Sequence, residues 1–304
     1  MNRRTIATRA HAWQPVSCWA AACVAMLTAT TFAQASPSVE ELLARAGERI
    51  AEYYRRAQNV ICTEKSTVQP IGRDFSPVGF ARVAESELHI EWEAGDANSP
   101  GEAKVVRELR KVNGRPPRDK DKKDRAGCTD PNPLTTEPLA FLLPAHRSEY
   151  RFTLAGLGKG KDRNTLLIDF TLIASERKPE LMEDERGHDD CFDWSGPLAA
   201  KGRVWVEANS YDVLRLERRT LAPVDVRVPI ALQRRHDLAD RVTIEREDLT
   251  IRYKTFAFHD PDEAMLLPES IEELVVVRGG LQSTRRSQVF SGYRRFMTGA
   301  RIVK

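Results

Sequence analysis

The sequence predicts a mainly β protein of the α+β class, a strongly curved antiparallel sheet wrapped over one N-terminal amphipathic helix, with a closed barrel as the alternative. Three observations predict it. Apolar residues recur at helical spacing in one long run near the start of the chain, a period of two holds for most of the chain past Asn59, and short turn signals separate the alternating runs.

The chain opens with what reads as an export leader. Arg3, Arg4 and Arg9 form a charged region, Val16 to Phe32 an apolar and small-residue core, and Ala33-Gln34-Ala35 before Ser36 a small-x-small cleavage pattern. The core is short, and Ser17, Thr28, Thr30 and Thr31 make it polar against the roughly 20 apolar residues of a spanning helix. Cleavage after Ala35 is therefore expected, placing the protein in the periplasm or outside the cell. Arg3-Arg4 leaves the general and twin-arginine routes both open. Cys18 and Cys23 lie too early for lipidation. Removing 35 of 304 residues leaves 269, and removing three arginines from 47 Lys+Arg leaves 44 against 44 Asp+Glu. A neutral, mixed-sign surface offers no field for nucleic acid. Residues 36–304 read as a single domain, without a fixed-period repeat.

Ser38-Val39-Glu40-Glu41 fits a capping box. Val39, Leu42, Leu43, Ala46, Ile50, Tyr53, Tyr54 and Ala57 then form one apolar helix face, which packing assigns to core. Strands are predicted over Asn59–Gln69, Ala81–Glu93, Lys104–Val112, Tyr150–Ala155, Thr165–Ile173, Arg203–Glu207, Val213–Thr220, Arg241–Phe258, Pro268–Val277 and Gln282–Tyr293. Turns are marked by Asn113-Gly114, Gly156 to Gly160, Ala208 to Asp212, His259 to Asp262 and Gly279-Gly280, short enough to make consecutive strands antiparallel. One further helical segment follows Thr136, with Pro138 in its first turn, Leu139, Leu142 and Leu143 on one side, and Pro144 as its stop. The preceding Arg115–Asp130 stretch mixes charges without an apolar anchor and reads as a solvated loop.

Cys62, Cys128 and Cys191 survive cleavage, and an oxidising compartment favours one pairing. Cys62 sits in an alternating strand as a small buried hydrophobe. Cys128 and Cys191 lie in polar connections and are expected to form a disulfide, worth roughly 2–4 kcal/mol.

Catalytic motifs are missing. There is no Gly-x-Ser-x-Gly, His-Glu-x-x-His or Cys-x-x-Cys. Gly156-Leu-Gly-Lys-Gly-Lys161 continues into Asp162 between two strands, so it reads as a hairpin loop rather than a phosphate loop. His188-Asp189-Asp190-Cys191 with Asp193 is a local donor cluster whose members cannot all face one ion, so no metal and no cofactor are expected. Glu85 with Glu87, and Glu245 with Glu247, each fall on one strand face by the period of two and read as solvated pairs.

The segment Gly202-Arg-Val-Trp-Val-Glu-Ala-Asn-Ser-Tyr-Asp-Val-Leu-Arg-Leu-Glu217 resembles the hairpin of bacterial lipoprotein-sorting proteins of the LolA/LolB-like superfamily. Leu267-Pro-Glu-Ser-Ile-Glu-Glu273 and Ser291-Gly-Tyr-Arg-Arg-Phe296 resemble that group's closing strands. Cys128, Glu137 to Leu139 and Leu142 to Pro144 resemble elements of exported soil-bacterial proteins of the same pattern. The resemblance implies an unclosed β-barrel whose concave face is plugged by helices and holds acyl chains or another apolar partner. In that geometry the Leu139, Leu142 and Leu143 segment is a second plug, and Trp92, Val204 and Val206 line the cavity alongside it.

The leading expectation is a non-enzymatic periplasmic protein binding a lipid, a lipidated protein or a similar apolar ligand, with peripheral membrane contact possible. The second is an envelope sensor or adaptor that receives a protein partner. The third is a hydrolase with a dispersed active site.

Overall fold

The computed structural model describes residues 38–56, 59–94, 101–118, 138–159, 162, 164–173, 178–183, 192–196, 198–259 and 262–295. The leader, most of the charged loop, and both Cys128 and Cys191 lie outside them.

Helix α1 (Val39–Arg56) begins where the capping pattern placed it: the Glu41 amide donates to Ser38 Oγ at 3.1 Å. The reciprocal half of the box is not made, because the Glu41 carboxylate takes Arg45 one turn on at 2.8 Å. Leu42, Leu43, Ala46 and Ile50 are buried. The strands are β1 (Val60–Pro70), β2 (Arg82–Ala94), β3 (Gly101–Val112), β4 (Tyr150–Leu157), β5 (Thr165–Leu172), β6 (Glu180–Glu183), β7 (Phe192–Ser195), β8 (Ala200–Glu207), β9 (Val213–Thr220), β10 (Val224–Arg227), β11 (Arg241–His259), β12 (Asp262–Arg278) and β13 (Thr284–Arg295). Helix α2 (Ile230–His236) stands between β10 and β11.

Among the described residues the thirteen strands form one sheet with the main order β3-β2-β1-β13-β12-β11-β9-β8-β5-β4, and β10, β6 and β7 extend it beside β11. Pairing along the main order is antiparallel. The two ends, β3 and β4, do not pair, so the barrel is unclosed. Seven inter-strand steps separate β2 from β5, about 34 Å in a flat sheet at roughly 4.8 Å per step. Yet Leu88 of β2 and Phe170 of β5 share one core cluster with α1. A helix only about 10–12 Å across can bridge them only if the sheet curls around it.

Three short strands and α2 escaped the sequence reading. Four-residue strands carry too few alternations to register, and α2, seven residues long after Pro229, is too short to show a helical period. β12 begins at Asp262 rather than Pro268, and Pro268 is tolerated inside it because the register shifts there, opposite Arg252 and Tyr253. The predicted plug helix is a single 3-10 turn, Ala140–Leu142. Pro144 forces Leu143 into extended backbone (ψ 150°) and stops the turn before an α-helix can form. Arg147 ties this turn to α1: its Nε donates to the Leu142 carbonyl at 2.7 Å and its Nη2 to the Leu43 carbonyl. Gly47 permits the approach, since a Cβ there would lie 2.2 Å from Nη2 of Arg147.

Candidate functional site

Among the described residues the buried apolar side chains form three clusters, the smallest being Val60, Phe258, Met265 and Leu267, and the other two border the site. The larger joins α1 and the 139–143 segment to Cys62, Leu88, Ile168, Phe170, Val204 and Val206. The smaller joins α2 and β10 to Val242, Ile244, Val275 and Val277. Leu139, Leu142, Leu143, Val204 and Val206 thus do come together, packed as core beneath α1. Trp92 lies in β2 opposite Ala103, and its side chain is outside the described residues. Cys62 is a free thiol pushed up to about 12, chiefly by burial, which makes it the inert buried hydrophobe expected.

Polar side chains occupy inward positions that the two clusters leave between them. Glu64 of β1, 1 % exposed, accepts from Arg107 Nε at 2.7 Å, Arg107 Nη2 at 3.1 Å and Gln288 Nε2 at 2.7 Å. Arg286 of β13 pairs with Glu273 of β12 at 3.2 Å. Glu247 of β11, 7 % exposed, accepts from Arg218 Nη2 on Oε1, and its backbone amide donates to Thr220 Oγ1 at 3.2 Å. Its other oxygen, Oε2, is buried without a hydrogen-bond partner. Burial raises the Glu247 carboxyl above its ordinary 4.5; Arg218 opposes this, while Glu273 and Asp193 add to it.

Beside this pair lies a pocket of about 170 Å³. Phe141, Tyr150, Phe170 and Trp194 supply aromatic lining, Leu172, Leu198 and Leu216 aliphatic lining, and Arg218, Thr220 and Glu247 a polar edge. Phe141 packs on Phe170 and Tyr150 with centroids 4.6 and 5.1 Å apart. Phe170 in turn lies over Gly202, where a Cβ would meet its Cζ at 2.5 Å. A smaller pocket of about 100 Å³ opens near the end of α1, lined by Ile50, Tyr53, Leu139 and Tyr253 and rimmed by the Arg49–Asp212 and Arg56–Glu263 ion pairs.

Sequence reasoning missed Glu247. It set Glu247 on the same solvated face as Glu245, but the β11–β12 register shifts between Ile244 and Arg246, and the extra residue turns Glu247 inward. A signal was present: the apolar phase of this strand changes from Val242 and Ile244 to Leu249, Ile251 and Tyr253, which only an added residue can reconcile. Glu85 and Glu87 do lie outward, paired with Lys111 at 2.9 Å and with Arg110 and Arg294 at 3.2 and 2.9 Å. Glu87, His89 and Glu108 have the spacing of a metal site, but Arg110 and Arg294 already occupy the carboxylates. Of the donor cluster around Cys191, only Asp193 is described, exposed in β7.

Three solved structures resemble this chain. A LolA superfamily protein from Nitrosomonas europaea is 13 % identical and aligns over 88 % of this chain and 99 % of its own, with a TM-score of 0.32. MucB in complex with MucA(peri) is 8 % identical over 86 % of this chain and 100 % of its own, with a TM-score of 0.20. The Pseudomonas aeruginosa MucA/MucB complex is 9 % identical over 82 % and 93 %, also with a TM-score of 0.20. Neither a family model nor a curated protein matches the sequence. The fold class itself rests on the strand order and its two unpaired ends.

Proposed function

We propose that the chain is an exported, non-enzymatic, single-domain binding protein (residues 36–304) that holds a lipid, the acyl part of a lipoprotein or a similar apolar ligand on the concave face of its half-barrel. The observation that carries this reading is the aromatic pocket of about 170 Å³ between the two core clusters. An apolar cavity near 150 Å³ is enough to hold a benzene ring, whereas whole-ligand sites usually reach about 300–1,000 Å³. The pocket therefore fits one end of such a ligand, a ring or a short stretch of chain. Leu139, Leu142 and Leu143 support it from behind as packing, next to Phe141. Among the described residues no helix is long and apolar enough to cross a membrane.

A second reading, an adaptor for an envelope protein, draws on the loop between β1 and β2. There Phe75, Val78 and Phe80 are exposed together, Phe80 at 98 %. Grouped exposed apolar side chains mark contact surfaces.

Native mass spectrometry and organic extraction of the mature protein, purified from its own envelope, separate the two. Binding of a ligand predicts a co-purifying apolar molecule that Ala200→Leu, which narrows the pocket, displaces. An empty wild-type protein whose envelope partner is lost in Phe80→Ser would establish the adaptor reading in its place.

A further inference from the structure

We propose that the outer face of the sheet carries a separate site, at which Lys201 of β8 and Arg219 of β9 together bind the phosphate group of a phosphomonoester. It goes beyond the inner pocket and stands or falls apart from it.

Along β5, β8, β9 and β11 the buried Ile168, Val204, Leu216 and Ile251 face the core, and the residues alternating with them face outward. Those outward side chains border a groove of about 750 Å³. Strand register sets them in rows, one step of about 4.8 Å per strand. Thr171, Lys201, Arg219 and Asp248 stand opposite one another in one row, and Asp169, Arg203, Glu217 and Thr250 in the next.

The second row closes on itself, and the first does not. Arg203 holds Asp169 at 2.5 and 2.9 Å, and Glu217 takes Arg215, which also stacks on Trp205 at 4.5 Å. In the first row Asp248 is drawn to Arg246 at 2.7 Å, and Arg218 turns to Glu247. Every acid of the groove is thus engaged, and among the described residues Lys201 and Arg219 have no ion-pair partner. They are nevertheless direct cross-strand neighbours. Like charges in that position destabilise a sheet, and an anion seated between them removes the repulsion.

The arrangement also says which anion. A phosphomonoester carries close to two negative charges and three acceptor oxygens, against one charge and two oxygens for a carboxylate. Two cations and the Thr171 hydroxyl beside Lys201 match the former, with the Arg219 guanidinium suited to paired phosphate oxygens. The alternating Asp169–Arg203–Glu217 row limits the positive footprint to one phosphate, so a long polyanion is refused.

Amide-detected NMR titration of the mature protein with glycerol 3-phosphate at low ionic strength tests this. Shifts should saturate and centre on Lys201 and Arg219, and acetate should bind at least about tenfold more weakly. Lys201→Thr/Arg219→Thr should weaken glycerol 3-phosphate by at least about tenfold, since two charge-assisted hydrogen bonds are lost. Lys254→Gln, an exposed lysine of β11 outside the groove, should leave it unchanged. In phosphate-free buffer the double variant should melt no lower than wild type, because threonine suits a strand and the repulsion is gone. Glycerol 3-phosphate should then raise the Tm of wild type alone. Sedimentation with phosphatidylcholine vesicles, with and without phosphatidic acid, separates the sources: retention by phosphatidic acid that the double variant loses assigns a lipid head group, and binding of glycerol 3-phosphate without retention assigns a soluble ester. Absence of saturable shifts on β8 and β9, acetate binding as tightly, or a double variant that binds like wild type overturns the proposal.

Discussion

Glu64 and Glu247 are both buried carboxylates on the inner face of one sheet, but the walls around them are finished differently. On the β1–β2–β3–β13 wall, Arg107 grips Glu64 with two nitrogens and Gln288 adds a third donor, so the carboxylate is enclosed by protein. On the β8–β9–β11 wall, Glu247 has one donor, and its second oxygen is buried without a hydrogen-bond partner. Burial alone therefore does not separate a structural ion pair from a site. The balance of donors against acceptors does, because a fully satisfied network rigidifies a core whereas a partly satisfied one carries the cost of an unpaired buried group.

The largest test of the contrast is Arg107→Met. It leaves Glu64 with a single donor deep in the core, and removing one partner of a buried pair costs about 3–5 kcal/mol. Urea denaturation should show this as a large fall in the midpoint. The double variant Glu64→Leu/Arg107→Met should recover most of the loss, since well-packed apolar replacements of a buried pair are often neutral. If the single variant unfolds at the wild-type urea concentration, Glu64 is not enclosed, and the two walls do not differ as argued.

Gly202→Ala tests the other wall. Its Cβ would lie 2.0 Å from the Glu217 carbonyl oxygen and 2.5 Å from Phe170 Cζ, so both the strand pairing and the aromatic lining must give. Overpacking of this kind costs about 1–3 kcal/mol. Because Phe170 lines the pocket, toluene affinity should fall along with thermal stability. A loss of stability with unchanged toluene binding would separate Phe170 from the site.

How much of this was legible in the sequence follows from what the pattern can carry. The helix, the long strands and their antiparallel order were readable because each spans several periods of its own repeat, as in β1, where Val60, Cys62, Glu64, Ser66 and Val68 alternate inward. Even there the pattern ranks Glu64 as surface by residue type, and only Arg107, 43 positions away, makes its burial intelligible. The pocket was not readable. Its aromatic residues come from the 3-10 turn, β4, β5 and β7, elements brought together by curvature rather than by spacing. Phe141 stood between the leucines assigned to the plug, and a 3-10 turn in place of an α-helix changes which of these residues share a side. Glu247 was hidden by one inserted residue, which reverses the inside and outside of everything beyond it until the next shift.

Glu247→Gln has the smallest expected effect and discriminates most directly between the walls. Burial raises the carboxyl of Glu247 above 4.5 in the folded protein, so between that value and the raised one the folded state binds the proton more tightly than the unfolded chain does. Stability contributed by this group is thus present below the unfolded value and is lost as pH rises through the folded one. Glutamine is neutral at every pH, can still accept from Arg218, and escapes that loss. At pH 7 the variant should be more stable than wild type by about 1 kcal/mol, a few degrees in Tm, and at pH 4 the two should melt together. Thermal melts at both pH values check it, with other titrating groups common to the pair. A variant less stable than wild type at pH 7 would mean that the Glu247 carboxylate is already satisfied, which would place it with Glu64 and remove the contrast between the two walls.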